Sequence, residues 1–290
     1  MFSIIIPTLN NLSYLKLCIE SIHKNSKYNH EIIPHVNVGT DGTLEYLKKK
    51  NIKFTYTKDN SGICKGMNLA AKESKKEYIL YAHDDFYFCP DWDLILKNEI
   101  DKIGHNLFYL SGTMMHKGQI DFDCGNTFED FDEKKFLSNY KDYNYYDFQG
   151  STWAPHLIHK DIWNKVKGFS EEFYPGTGSD PDLNMKLWKL GVRIFKGIND
   201  FKVYHFGSIV TRKYKGDSKI ITESGSKGGK IFLLKWGMTI KFFKKFIMES
   251  DTKFKGELKD PIKNLSYYLN LIITKLNFIY VKFFYKNKIK

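Results

Sequence analysis

Two aspartates, Asp84 and Asp85, stand together at the end of the apolar run EYILYA. Adjacent like charges repel, so a strand that needed only a polar turn gains nothing from the second one. A divalent cation removes that repulsion. Hard cations take oxygen ligands and keep positions open for substrate phosphates. The plain alternative is a solvated turn or a helix cap, since two-residue motifs recur by chance. Three other residues carry the same double reading. Asp180, in front of Pro181 and a helical LNMKLWKLG pattern, is a candidate N-cap. His205 follows the apolar KVY run, a usual setting for a core or rim histidine. Trp153, in GSTWAP, is either core or a platform for a ligand.

These residues need a scaffold, and the chain spells one out. Phe2 to Ile6 reads as a buried strand stopped by Pro7, followed by a helix from about Ser13 to His23 with Leu15, Cys18, Ile19 and Ile22 on one face. HEIIPHVNV is a second strand weakened by Pro34. TDGTLEYLKKK is a turn and helix with Asp41 and Thr43 as candidate caps. NIKFTYTK is a third strand, Ile63 to Ser74 a helix, and EYILYA a fourth strand. Alternation of this kind implies an α/β fold with a mostly parallel sheet flanked by helices. Ligands in such sheets bind beyond the carboxyl ends of the strands. PTLN, NVGTDGT, DNSG and HDDF all fall there, so the carboxylates lie on a functional rim. From about Leu107 to Asp147 the pattern weakens and yields no assignment. Further on, HLIHKDIWNKVKGF reads as a strand and short helix, DPDLNMKLWKLG as a helix stopped by Gly191, and VRIFKGINDFKVYHFG as strand-like pieces.

Composition narrows the class. The chain has 290 residues and a net charge of +12. From Lys227 to Lys290 there are fifteen lysines against four carboxylates, which accounts for +11 of that charge. The body is close to neutral, which argues against nucleic acid as a partner. Cys18, Cys64, Cys89 and Cys124 form no CxxC pair and read as free thiols of a reducing compartment. MFSIIIPTLN lacks a basic leader, so the expected location is cytoplasmic.

In order along the chain, SIIIPTLNN, NVGTDGT, DNSGICKGMNLA, HDDF, GFSEEFYPGTGSDPDLNMKLWKLG and VYHFGS resemble the motifs of the family 2 glycosyltransferases, from Ser3 to about Arg212. Each motif is weak alone; six in the right order are specific. The resemblance implies a GT-A (Rossmann-like) fold and an inverting transfer from a nucleotide-diphosphate sugar to an acceptor hydroxyl on a glycan or lipid-linked saccharide. It implies Asp180 as the base, Asp85 and His205 as metal ligands, and Asp84 on the ribose or a metal-bound water. Pro7, Thr8, Asn10, Asn37 and Asp41 would line the nucleotide pocket. Asn60, Gly62, Lys65 and Asn68 would meet phosphate at a helix N-terminus. Arg212 would contact diphosphate, and Trp153 and Asp182 the acceptor. A histidine ligand favours Mn²⁺ over Mg²⁺. The sequence departs from the family at three places: Asn37 stands near a usual Asp, His83 where Asn or Asp is common, and Ser179 where Glu precedes the catalytic Asp. A sugar-phosphate nucleotidyltransferase would need a Gly- and Arg-rich loop after the first strand, which PTLNN is not. A non-catalytic binding protein would have no use for a base.

The expected division is a catalytic domain over residues 1–226 and a basic helical region over 227–290, with GSKGGK at the boundary. In the tail, Phe232, Trp236, Ile240, Phe243 and Ile247 share one helical face, and Leu265, Leu269, Ile272, Leu276, Ile279 and Phe283 share another. Neither stretch suits a membrane span, which needs ~20 mostly apolar residues. Such helices either lie in the plane of an anionic membrane, making the protein peripheral, or pack on the domain or pair as a coiled coil in a homodimer.

Overall fold

The structure is a computed structural model and describes residues 1–207 and 218–285. It opens with β1 (Phe2–Leu9), α1 (Leu12–Asn25), β2 (Glu31–Asn37), α2 (Thr43–Lys49), β3 (Thr55–Thr57), α3 (Gly62–Lys72) and β4 (Tyr78–Tyr81). In α1 the stripe Leu15, Cys18, Ile19 and Ile22 is buried against the sheet, as its three- and four-residue spacing requires. Then come β5 (Phe86–Phe88), α4 (Trp92–Ile103), β6 (Phe108–Met115), α5 (Glu133–Asn139), β7 (Phe148–Gln149), β8 (His156–His159), α6 (Lys160–Lys165), α7 (Ser179–Lys189) and β9 (Ile194–His205). Three helices close the described chain: α8 (Ser218–Trp236), α9 (Ile240–Phe246) and α10 (Leu265–Phe284).

The strands form one mixed sheet in the order β3-β2-β1-β4-β8-β6-β9-β5, with β7 also on β9. β1 to β4 run parallel; β8 is antiparallel to β4 and β6, and β6 and β9 are parallel. The carboxyl ends of β1 to β4 and of β9 therefore share one edge. Helices flank the sheet, and the main core is built from Ile4, Ile6, Ile33, Leu80, Leu157 and their neighbours.

Both prolines expected to weaken strands are instead inside them. β1 runs through Pro7, and β2 runs through Pro34 as the partner of Ile6. The reason lies in the ladders. β1 pairs with β4 only as far as Ile5, and β2 pairs with β3 only from His35 onward. Each proline sits where its strand has one neighbour, so its missing N–H breaks no bond on the other side.

The stretch without an assigned pattern contains β6 and α5, around a second small core of Tyr87, Phe122, Phe136, Tyr204 and Phe206. The tail divides in two. Gly237, at φ +69°, ends α8, and Thr239 caps α9 by accepting from the Phe242 N–H. Phe232 and Phe243 are fully buried in the main core and Ile247 nearly so, so this first face packs on the domain. GSKGGK lies within α8. The chain then returns to the sheet, where Phe254 N–H donates to the Asp147 carbonyl and Leu258 N–H to that of Arg193. α10 packs on α8 and α9.

Candidate active site

His83, Asp84 and Asp85 form the link between β4 and β5. β5 pairs antiparallel with β9, and Phe86 lies opposite His205. This register brings Asp85, one residue before Phe86, to the histidine at the end of β9. Asp85 Oδ2 lies 3.6 Å from His205 Nε2, and both side chains are nearly buried. His205 Nδ1 is 3.2 Å from the Lys117 carbonyl. A carbonyl only accepts, so Nδ1 carries a proton, and Nε2 is the ring atom on the Asp85 side. His83 completes the group: its ligand atom and those of Asp85 and His205 all lie within 4.8 Å of one another. Burial, with Asp85 opposing and His205 adding, pulls the His83 imidazole down to about 4, so this ring is neutral at neutral pH. Its ring stacks on Phe86 and its Nε2 meets the Tyr81 hydroxyl at 3.0 Å.

Two imidazoles and a carboxylate this close form a candidate site for a divalent ion. Ligands at about 2.1 Å on opposite sides of such an ion stand about 4.2 Å apart. The cluster is only slightly wider than that, so the residues fit the group. His83 was read from the sequence as a departure from the family, and its place beside Asp85 and His205 shows only once the link folds back on β9.

Asp84 points elsewhere. It faces Thr8 and Asn11 below the end of β1. Burial and the neighbouring Asp85 push the Asp84 carboxyl up, while the Thr8 hydroxyl and the Asn11 amide, hydrogen-bonding partners within reach, oppose the shift. Together they make a buried polar wall at the carboxyl end of β1, the edge where such sheets bind ligands. Asn11 is the member that sequence reasoning missed; the doubled Asn of TLNN was its only signal.

Several expected nucleotide residues are already engaged. Asn10 Oδ1 accepts from the Thr40 N–H, and Asp41 accepts from the Leu12 and Thr43 N–H groups, tying two helix starts together. Asn37 Oδ1 accepts from the Ser61 N–H and hydroxyl, fixing the DNSG loop to β2. At the start of α3, Asn60 Oδ1 takes the Gly62 N–H and the Pro175 carbonyl takes that of Ile63. These two donors are not open to phosphate; Lys65, exposed on the next turn, is the charge that remains there. Gly62, at φ +75°, packs against Tyr174, where a Cβ would stand 2.7 Å from the ring. Asn68 clamps the Phe169 backbone, donating to its carbonyl and accepting from its N–H, both at 2.9 Å. Pro7 lies near the end of β1, and Arg212 lies outside the described residues.

Across the rim, α7 presents Asp180. The cap position belongs to Gly178, at φ +86°, so Asp180 sits in the first turn and is not the N-cap. Asp180 Oδ1 is buried without a partner among the described residues. Burial pushes its carboxyl up to about 7, with Lys244 of α9 the main opposing influence. The same Lys244 Nζ lies 5.6 Å over the Trp153 ring, so Trp153 and Asp180 share a neighbour. Burial, with Asp180 and Asp84 adding, pushes the Tyr81 phenol up, which places both carboxylates within electrostatic reach of one side chain. Asp182 does not face the rim. It is fully buried and accepts from Ser170 Oγ, Lys235 Nζ and Trp236 Nε1 at 2.6 to 2.9 Å. Its oxygens lock α8 to α7.

Residues 3–163 match the model of the glycosyl transferase family 2. The chain belongs to that family. No curated protein matches it. Among solved structures, S. aureus TarS 1-349 shares the fold, with 18% identity and a TM-score of 0.54 over 79% of this chain and 68% of that one. Its complex with UDP gives 18% identity and a TM-score of 0.55 over 84% and 72%, and its complex with UDP-GlcNAc 16% and 0.54 over 96% and 80%. The GT-A expectation is thereby met, and this transferase fold carries a helical C-terminal extension.

Proposed function

We propose that this glycosyltransferase moves a sugar from a nucleotide-diphosphate donor to an acceptor hydroxyl by direct displacement with inversion, on a glycan or lipid-linked acceptor. The observation that carries the reading is Asp180: a carboxylate with an unpartnered oxygen, held near about 7, on the rim opposite the His83–Asp85–His205 cluster. A general base works best with a pKa near the working pH.

Thr8, Asn11 and Asp84 bind the nucleoside, since their buried polar atoms match hydroxyl and amide partners. The similar TarS structures hold UDP and UDP-GlcNAc, so a uridine nucleotide is the first donor to test. His83, Asp85 and His205 would hold the divalent cation, and two imidazoles suit Mn²⁺ better than Mg²⁺. When bound, such an ion neutralises charge on the leaving diphosphate. Lys65 adds a positive charge on the same side. Trp153 offers a ring face to the acceptor sugar. Asp180 takes the acceptor hydroxyl proton on its free oxygen as the oxygen attacks the anomeric carbon from the face opposite the diphosphate. The proton ends on Asp180, and the leaving group departs as nucleoside diphosphate.

The test is turnover of a panel of UDP-sugars by wild type and Asp180→Asn, with product configuration read by proton NMR. The proposal expects an inverted anomeric centre and turnover lost in the variant. Retained configuration, or turnover unaffected by Asp180→Asn, would overturn it.

A further inference from the structure

α10 is built inside out. Its buried side chains are Thr274 and Val281, which face α8 and α9. Leu265, Leu269, Ile272, Leu276, Ile279 and Phe283 are each more than half exposed. Ile273, Tyr280 and Phe284 widen that face, and at 3.6 residues per turn the exposed apolar arc covers about 140°. Exposed apolar patches of this kind mark interaction sites. No helix among the described residues is long and apolar enough to cross a membrane.

Charge and width decide between occupants. Lys275 and Lys282 are exposed along one edge of the arc, and the sequence from Pro261 to the final lysine has six lysines and no acidic residue. A coiled-coil partner of the same sequence would set lysine against lysine with no carboxylate at the flanks, whereas such pairs normally carry opposite charges. The coiled-coil seam is also narrower than this arc. An apolar face rich in aromatics and bordered by lysines suits the boundary of a lipid bilayer, with the lysines on anionic headgroups. We propose that α10 lies in the plane of an anionic membrane and seats the enzyme there by its exposed face. On its other side α10 packs on α8, the helix that carries Lys235 and Trp236, the partners of Asp182. The inference does not rest on the transferase chemistry, since vesicle binding needs neither donor nor cation.

The test is flotation of the full chain with phosphatidylcholine vesicles and with mixed phosphatidylcholine–phosphatidylglycerol vesicles. The proposal expects binding to the mixed vesicles only, weakening as salt rises. Lys275→Gln with Lys282→Gln should weaken it about twenty-five-fold, since each lysine near the surface is worth about a factor of five. Ile272→Asp with Leu276→Asp should abolish it while the melting temperature stays within about a degree, because both side chains face outward. Equal binding to neutral vesicles, or binding that survives the aspartate substitutions, would overturn the proposal. So would absence of vesicle binding together with a dimer, seen by light scattering, that the aspartate substitutions disperse; a second copy would then be the occupant.

Discussion

Asp180→Asn should make the protein more stable, by an amount that depends on pH. The folded carboxyl titrates at about 7 against a reference value of 3.8. Below 3.8 both states are protonated, and the aspartate costs nothing relative to asparagine. Between 3.8 and about 7 the unfolded chain ionises while the folded one does not, so wild-type stability falls as pH rises. Above about 7 the difference is constant. Three pH units correspond to at most about 4 kcal/mol, and partial solvent access at this half-buried residue reduces that to about 2 kcal/mol. At roughly 2–4 °C per kcal/mol, the variant should melt about 4–8 °C higher than wild type at pH 8. At pH 5 the gain should be less than half of that. The assay is thermal unfolding of both proteins across pH 5 to 8 without nucleotide or cation. A melting difference that is absent, or independent of pH, would refute the claim that a desolvated carboxylate waits in this site.

The neighbouring residues give three more expectations. Turnover should rise with pH through about 7, and Lys244→Met, which removes the main influence holding Asp180 down, should move that limb up by about half to one pH unit; an unmoved limb would place the titration on another group. Asp182→Ala should cost about 2–3 kcal/mol in denaturant unfolding, because it removes the buried acceptor shared by Ser170, Trp236 and Lys235, of which Lys235 keeps Glu172; a loss under about 0.5 kcal/mol would show the α7–α8 lock to be ornamental. His83→Ala should weaken Mn²⁺ binding, measured by calorimetry, by at least about tenfold; unchanged affinity would reduce the ligand set to Asp85 and His205.

The first half of the fold was readable because its signals are local. Apolar runs such as SIII and YILY, broken by polar loops, announce β1 and β4, and the three- and four-residue stripe announces α1. The rim could be read for the same reason: strand ends in a parallel sheet share an edge. What escaped depends on contacts distant in sequence. Pro7 and Pro34 look like strand breakers until the ladder lengths are known. β6 carries Ser111, Gly112 and Thr113 in its middle, which hides an eight-residue strand that pairs with β8 and β9. Asp180 reads as a cap because nothing local reveals that Gly178 takes the φ of +86° and starts the helix. The internal lock of Asp182 is hidden because its partners, Lys235 and Trp236, are more than fifty residues away. In the tail one amphipathic pattern serves two ends: Phe232 and Phe243 are buried, while Ile272 and Leu276 face outward.

The central claim is that a nucleotide and a divalent cation meet at His83, Asp85 and His205, with Asp180 acting on the acceptor and not on binding. Calorimetric titration of UDP, with and without Mn²⁺, into wild type, Asp85→Ala and Asp180→Asn tests it most directly. The account predicts binding that requires the ion in wild type and in Asp180→Asn, and none in Asp85→Ala. Ion-independent binding, or binding that survives Asp85→Ala unchanged, would contradict it.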